Sequence, residues 1–115
     1  MIGYILSVEA EEDTFQIWCY LAEKASVETA NRIESRLYKA FELLVKTPAL
    51  GHKRSDLTQH PVLFFRVRPY SYLIVYRPKT PLEIVAVLHG KRNVEVLLQD
   101  RIGRMLYELE SGELG

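Results

Sequence analysis

The sequence predicts a single α+β domain: an N-terminal strand, an antiparallel helix hairpin, a three-stranded antiparallel meander packed on the helices, and a short C-terminal helix. Three observations carry this prediction. Apolar residues recur at helical spacing across two adjoining stretches before residue 47. Pro48 then stops the helical pattern, and from Val62 onward β-prone runs alternate with turn residues. The connections between those runs, Pro69-Tyr70-Ser71 and Pro78-Lys79-Thr80-Pro81, are short enough to be hairpins, so consecutive strands pair antiparallel.

Residues 2–8 form a short β-prone opening. Glu9, Glu11, Glu12 and Asp13 then crowd a first helical turn, where acids favour the helix dipole, and Ala10, Ile17, Trp18, Leu21 and Ala25 continue at helical spacing, giving a first helix over about 10–24. Ser26 reads as the N-cap of a second helix with the apolar stripe Ala30, Ile33, Leu37, Ala40, Phe41 and Leu44. One or two residues separate the helices, so they fold back as a hairpin. Gly51 is expected to permit a tight reversal after Pro48. Strands follow over 62–67, Tyr72–Arg77 and 82–88, with the helices covering one sheet face and a more polar opposite face left for function. Val94, Leu97, Leu98, Ile102 and Leu106 continue with weaker helical spacing that Gly103 interrupts.

At 115 residues with 48% hydrophobic residues, the chain buries a sufficient core as one domain over 1–115, with its core at about 3–98 and a C-terminal helix or tail at 99–115. Cys19 is the single cysteine, so no intramolecular disulfide forms, and its apolar helical context makes it a packing residue. No apolar run reaches the ~18 residues of a membrane span, and Met1-Ile2-Gly3-Tyr4 lacks the basic start of a signal peptide, so the expected location is the cytoplasm.

The net charge is zero, but it is unevenly spread. Residues 52–104 carry ten Lys or Arg against four acids, whereas residues 1–51 carry five bases and eight acids. A neutral protein with one basic segment still attracts an acidic partner or a phosphate chain. The six cations Arg54, Arg66, Arg68, Arg77, Lys91 and Arg92 are the candidates for holding such a partner. Strand alternation places Arg66 and Arg68 on one face beside Phe64, with Phe65 and Val67 opposite. Arg54 and Asp56 are spaced to pair with each other, and Tyr72 and Tyr76 share a strand face where packing is their expected role.

The histidines lack metal-ligand spacing, one cysteine builds no zinc site, and Gly51 and Gly90 stand apart from any phosphate-cradling loop, so no metal or cofactor is expected.

The order of elements, with Pro48-x-Leu-Gly-x-x-Arg-x-Asp-Leu57, Tyr72-Leu-Ile-Val-Tyr-Arg77 and Val85-Ala-Val-Leu-His-Gly-Lys-Arg-Asn93, resembles the RelE/ParE superfamily of bacterial toxins from type II toxin–antitoxin operons. The resemblance spans roughly residues 3–98. It implies a toxin held by a cognate antitoxin in a hetero-oligomer, with one of two targets. RelE-like members cut messenger RNA on the ribosome, whereas ParE-like members inhibit DNA gyrase and need no catalytic constellation.

RNA cleavage by 2′-hydroxyl attack requires proton carriers as well as cations. His89, with Arg77, Arg92 and Arg54, is the set available for it. A histidine at a strand end is equally suited to a neutral imidazole bonded to backbone. The ribonuclease members that this chain resembles carry an aromatic or imidazole beyond the last strand, but here that stretch is Val94-Glu-Val-Leu-Leu-Gln99, with Glu95 as its sole titratable group. The ParE-like branch is therefore the expectation. RelE-like endonuclease and a non-toxic member retained as a binding partner are the alternatives.

Overall fold

The computed structural model describes residues 3–89 and 98–101. In chain order these form β1 (Tyr4–Leu6), α1 (Val8–Lys24), α2 (Val27–Lys46), a 3-10 turn (Pro48–Leu50), β2 (Leu63–Val67), β3 (Tyr72–Arg77) and β4 (Leu82–His89). Residues 98–101 are helical, which agrees with a short C-terminal helix. The expected continuation past Gly103 lies outside the described residues. The sheet order is β1-β4-β3-β2, so the expected meander acquires β1 as a fourth strand, parallel to β4.

Local chemistry sets the helix boundaries. Ser7 caps α1 by accepting the Ala10 N–H at 3.0 Å, which starts the helix at Val8 rather than about residue 10. Ser26 caps α2 in the same way through the Thr29 N–H. Two residues separate the helices, and Trp18 Nε1 donates across the hairpin to Asn31 Oδ1 at 2.8 Å. All six residues of the expected α2 stripe are buried. On α1, by contrast, the buried residues are Ala10, Asp13 and Thr14, while Ile17, Trp18 and Leu21 are half-buried and Ala25 is exposed.

β3 is buried on both faces over Tyr72–Tyr76, because two cores sandwich the sheet. On the helix side, Leu37, Phe41 and Leu44 pack with Tyr72, Ile74, Tyr76 and Ile84. On the other side, Val62, Phe64, Leu73, Val75, Val85 and Leu88 bury against each other and Leu98. The second face is therefore not the polar surface expected from sequence. Its alternate strand positions are apolar, and the chain after His52 and the turn at Leu98 cover them. A bulge maintains both faces: Val75 pairs with Ala86 but Tyr76 pairs with Ile84, which leaves Val85 as an extra residue and resets the alternation along β4.

Gly51 corrects another expectation. Its backbone is extended (φ −75°, ψ 176°), a conformation open to any residue, so it supplies no special reversal. It is small because Tyr76 approaches it: an added Cβ would lie 2.7 Å from Tyr76 Oη and 2.9 Å from the Phe64 carbonyl oxygen. The buried Tyr76 hydroxyl accepts the Gly51 N–H at 2.9 Å and donates to the Pro48 carbonyl at 2.6 Å. Burial pushes the Tyr76 phenol pKa up, and the Gly51 bond opposes that rise only in part. Tyr76→Phe is expected to lower stability by about 1–3 kcal/mol, read from urea denaturation, because a buried N–H loses its acceptor. An unchanged midpoint would show that this bond contributes nothing.

Candidate functional site

The structure disperses the basic segment before it concentrates any of it. Arg54 donates to Asp56 through Nε (2.9 Å) and Nη2 (2.8 Å), the pairing their spacing suggests. That bond raises the Arg54 pKa and lowers that of Asp56. Both groups are exposed, so the pair shapes the turn more than it stabilises the fold. Arg77 is half-buried and faces Glu83 across the β3–β4 pair at 3.2 Å. Arg101 is buried against Asp13 and Glu9. Three cations of the segment thus have carboxylate partners within the chain.

Arg66 and Arg68 differ: both are exposed, and neither forms an ion pair among the described residues. Phe64, on their strand face, is buried in the second core, while Val67 faces the helices, as alternation requires. Arg36 on α2 joins this corner by donating Nη2 to the Arg68 carbonyl at 2.9 Å. Sequence reasoning missed Arg36, since a lone arginine on the polar face of a helix carries no local signal. The corner lies at the Tyr72 end of β3, where Val67 pairs with Tyr72 and Tyr72 with His89. Arg77 occupies the opposite end, about 17 Å away by strand rise. The structure therefore sets Arg36 against the Arg68 backbone, two residues along the chain from Arg66, and separates Arg77 from them. Lys91 and Arg92 lie outside the described residues.

His89 is exposed at the end of β4, and its ring meets that of Tyr72 edge-on at 5.7 Å and 75°. Among the described residues its imidazole makes this ring contact and no hydrogen bond. The Tyr72 phenol is pushed up by burial and by the neighbouring Tyr20 phenol, which makes it a still poorer base at neutral pH.

The nearby carboxylate is Asp13, and it is fully engaged. Its Oδ2 accepts the Val87 N–H at 3.0 Å and Arg101 Nη1 at 2.6 Å, while its Oδ1 accepts Arg101 Nη2 at 2.9 Å. This arrangement has a backbone cause: β1 pairs with β4 only over Leu82–Ile84. Beyond that point α1 completes the strand edge with side chains, Ser7 Oγ donating to the Val85 carbonyl and Asp13 accepting from Val87. Among the described residues no cluster of His, Cys, Asp or Glu suits a metal ion, and no helix is long and apolar enough to cross a membrane.

Three comparisons bear on this arrangement. Residues 4–94 match the family described as the ParE toxin of the type II toxin–antitoxin system, parDE. Toxin ParE1 of Caulobacter vibrioides is 29% identical over 98 residues, covering 85% of this chain and 99% of its own length. Among solved structures, a chain of the chromosomal ParDE toxin–antitoxin system from P. aeruginosa superposes with a TM-score of 0.68 at 14% identity, covering 79% of this chain and 98% of that one. This last likeness establishes the shared fold.

Proposed function

The chain belongs to the ParE toxin family of type II toxin–antitoxin systems, and from that premise we propose that it acts in the cytoplasm by binding DNA gyrase rather than by cutting RNA, and that a cognate antitoxin silences it. The observation that supports an inhibitor over a nuclease is the state of the proton carriers. His89 has no hydrogen-bonded partner among the described residues, Tyr72 is a weakened base, and Asp13 is consumed by Arg101 and Val87. RNA cleavage needs one group to take a proton and another to return one, and neither Tyr72 nor Asp13 is available as the second carrier beside His89. An inhibitor needs only a surface.

For the antitoxin, the exposed corner of Arg36, Arg66 and Arg68 is the favoured contact, because its charges have no carboxylate partners among the described residues. Arg77 contributes less there, being held by Glu83 at the far end of β3. Arg54, Lys91 and Arg92 are the cations assigned to the target. The joint reversal Arg66→Glu and Arg68→Glu is expected to weaken an antitoxin complex by tens-fold or more in calorimetry, through like-charge repulsion against an acidic partner.

The purified protein is expected to inhibit gyrase supercoiling and to leave ribosome-bound mRNA uncut. Expressed alone, it should induce filamentation and the SOS response without early translation arrest. His89→Ala should change supercoiling inhibition less than Arg54→Glu or Arg92→Glu does. Ribosome-dependent cuts that fall about 10²-fold or more in His89→Ala would overturn this reading in favour of a RelE-like endonuclease.

A further inference from the structure

A cavity of about 420 Å³ opens between α1 and the outer end of β4. Ile17 and Val87 give it apolar walls, and Gln16, Tyr20, Tyr72 and His89 surround them. We infer that this cavity receives an arginine side chain presented by a partner polypeptide.

The polar side chains lining the cavity each carry a hydrogen-bond acceptor. Gln16 Nε2 is committed to Glu12 at 2.8 Å, which leaves its Oε1 without a partner among the described residues. The phenols of Tyr20 and Tyr72 both border the same cavity, and each hydroxyl oxygen can accept a hydrogen bond. Asp13, also in the lining, has both oxygens occupied and acts as wall rather than ligand.

A guanidinium has five N–H donors in one plane and stacks on aromatic faces, which suits dispersed acceptors flanked by rings better than a compact ammonium does. The local field has the matching sign. Among the described residues, Glu9, Glu12 and Asp13 outnumber Arg101, and Asp100 adds a further acid beside that arginine. A phosphate-bearing ligand would meet this field as repulsion. The cationic corner at Arg66 and Arg68 would take an acidic partner segment, so the two surfaces select opposite charges.

The test uses the full-length protein and three probes followed by backbone amide NMR: N-acetyl-arginine methylamide, N-acetyl-leucine methylamide and AMP. The arginine probe is expected to give saturable shifts at Tyr20, Val87 and His89 that the other two do not reproduce. Gln16 and Tyr20 are exposed, so variants there keep the fold. Tyr20→Ala should weaken arginine-probe binding about three- to five-fold, the size of a partly exposed cation–π contact, and Gln16→Lys should abolish it. Equal or stronger shifts with the leucine probe would make the cavity a general apolar site, and a preference for AMP would make it a nucleotide site. Either outcome, an absence of saturable shifts, or unchanged binding in Gln16→Lys would overturn the inference. Occupancy is read without gyrase, so it stands or falls separately from the toxin's target.

Discussion

Phe41→Asp is expected to leave the protein unfolded at room temperature. Phe41 has no solvent exposure, and its ring packs against Tyr4 and Tyr38 at centroid distances of 5.4 Å. Loss of the ring from a closed core costs about 3–5 kcal/mol, and an unpaired carboxylate in its place adds a desolvation cost with no cation in the helix stripe to offset it. Domains of this size have total stabilities on the order of 5–15 kcal/mol, so the sum removes most or all of the margin. Leu37→Asp, one turn earlier on the same stripe, should behave alike. Near-ultraviolet circular dichroism and amide dispersion are the measurements. A cooperative melt close to wild type in either variant would show that α2 does not pack its apolar face on the sheet.

Asp13→Ala should cost about 3–5 kcal/mol, the usual penalty for breaking a buried ion pair from one side. It takes from Arg101, 8% exposed, its bidentate partner, leaving the ion pair with Glu9 among the described residues, and it orphans the Val87 N–H. Replacing both partners, as in Asp13→Leu with Arg101→Met, should recover part of the loss, because the desolvation of two charges disappears along with their attraction. The Val87 N–H stays unpaired in the double variant, so recovery remains incomplete. Bonding to Asp13, set against burial, raises the Arg101 pKa above its ordinary value. A raised basic pKa confers stability that is fully present below the unfolded value and lost only as pH rises through the folded one. The Arg101 contribution should therefore not vary across neutral pH. Urea titrations of the two variants and the wild type give the coupling, and additive losses would show that the pair acts as two independent residues.

The second helix was legible to the residue because its apolar period, its serine cap and its terminating proline all act within a few residues along the chain. The same holds for β3 and for the Arg54–Asp56 pair. The first helix was read less well. Asp13 looked like one more acid favouring the helix dipole, whereas it is an inward residue whose partners lie 74 and 88 positions away. No local pattern separates the two roles.

The second sheet face was misjudged for a related reason. Alternation in β2 and β4 places apolar residues on both sides, but whether a face is wet depends on which distant segment covers it, and Leu98 and Val62 do so here. Of the candidate site, composition revealed an excess of cations in one stretch of chain. Their division into neutralised pairs and one exposed corner with Arg36 followed from strand register and helix docking. Sequence alone determined what is governed by near neighbours: helix periods, caps, turns and the tally of charge. Tertiary structure decided which charges meet, which faces are covered and where a cavity remains, because Coulomb attraction and desolvation depend on distance in space, and the fold brings together groups far apart in the chain.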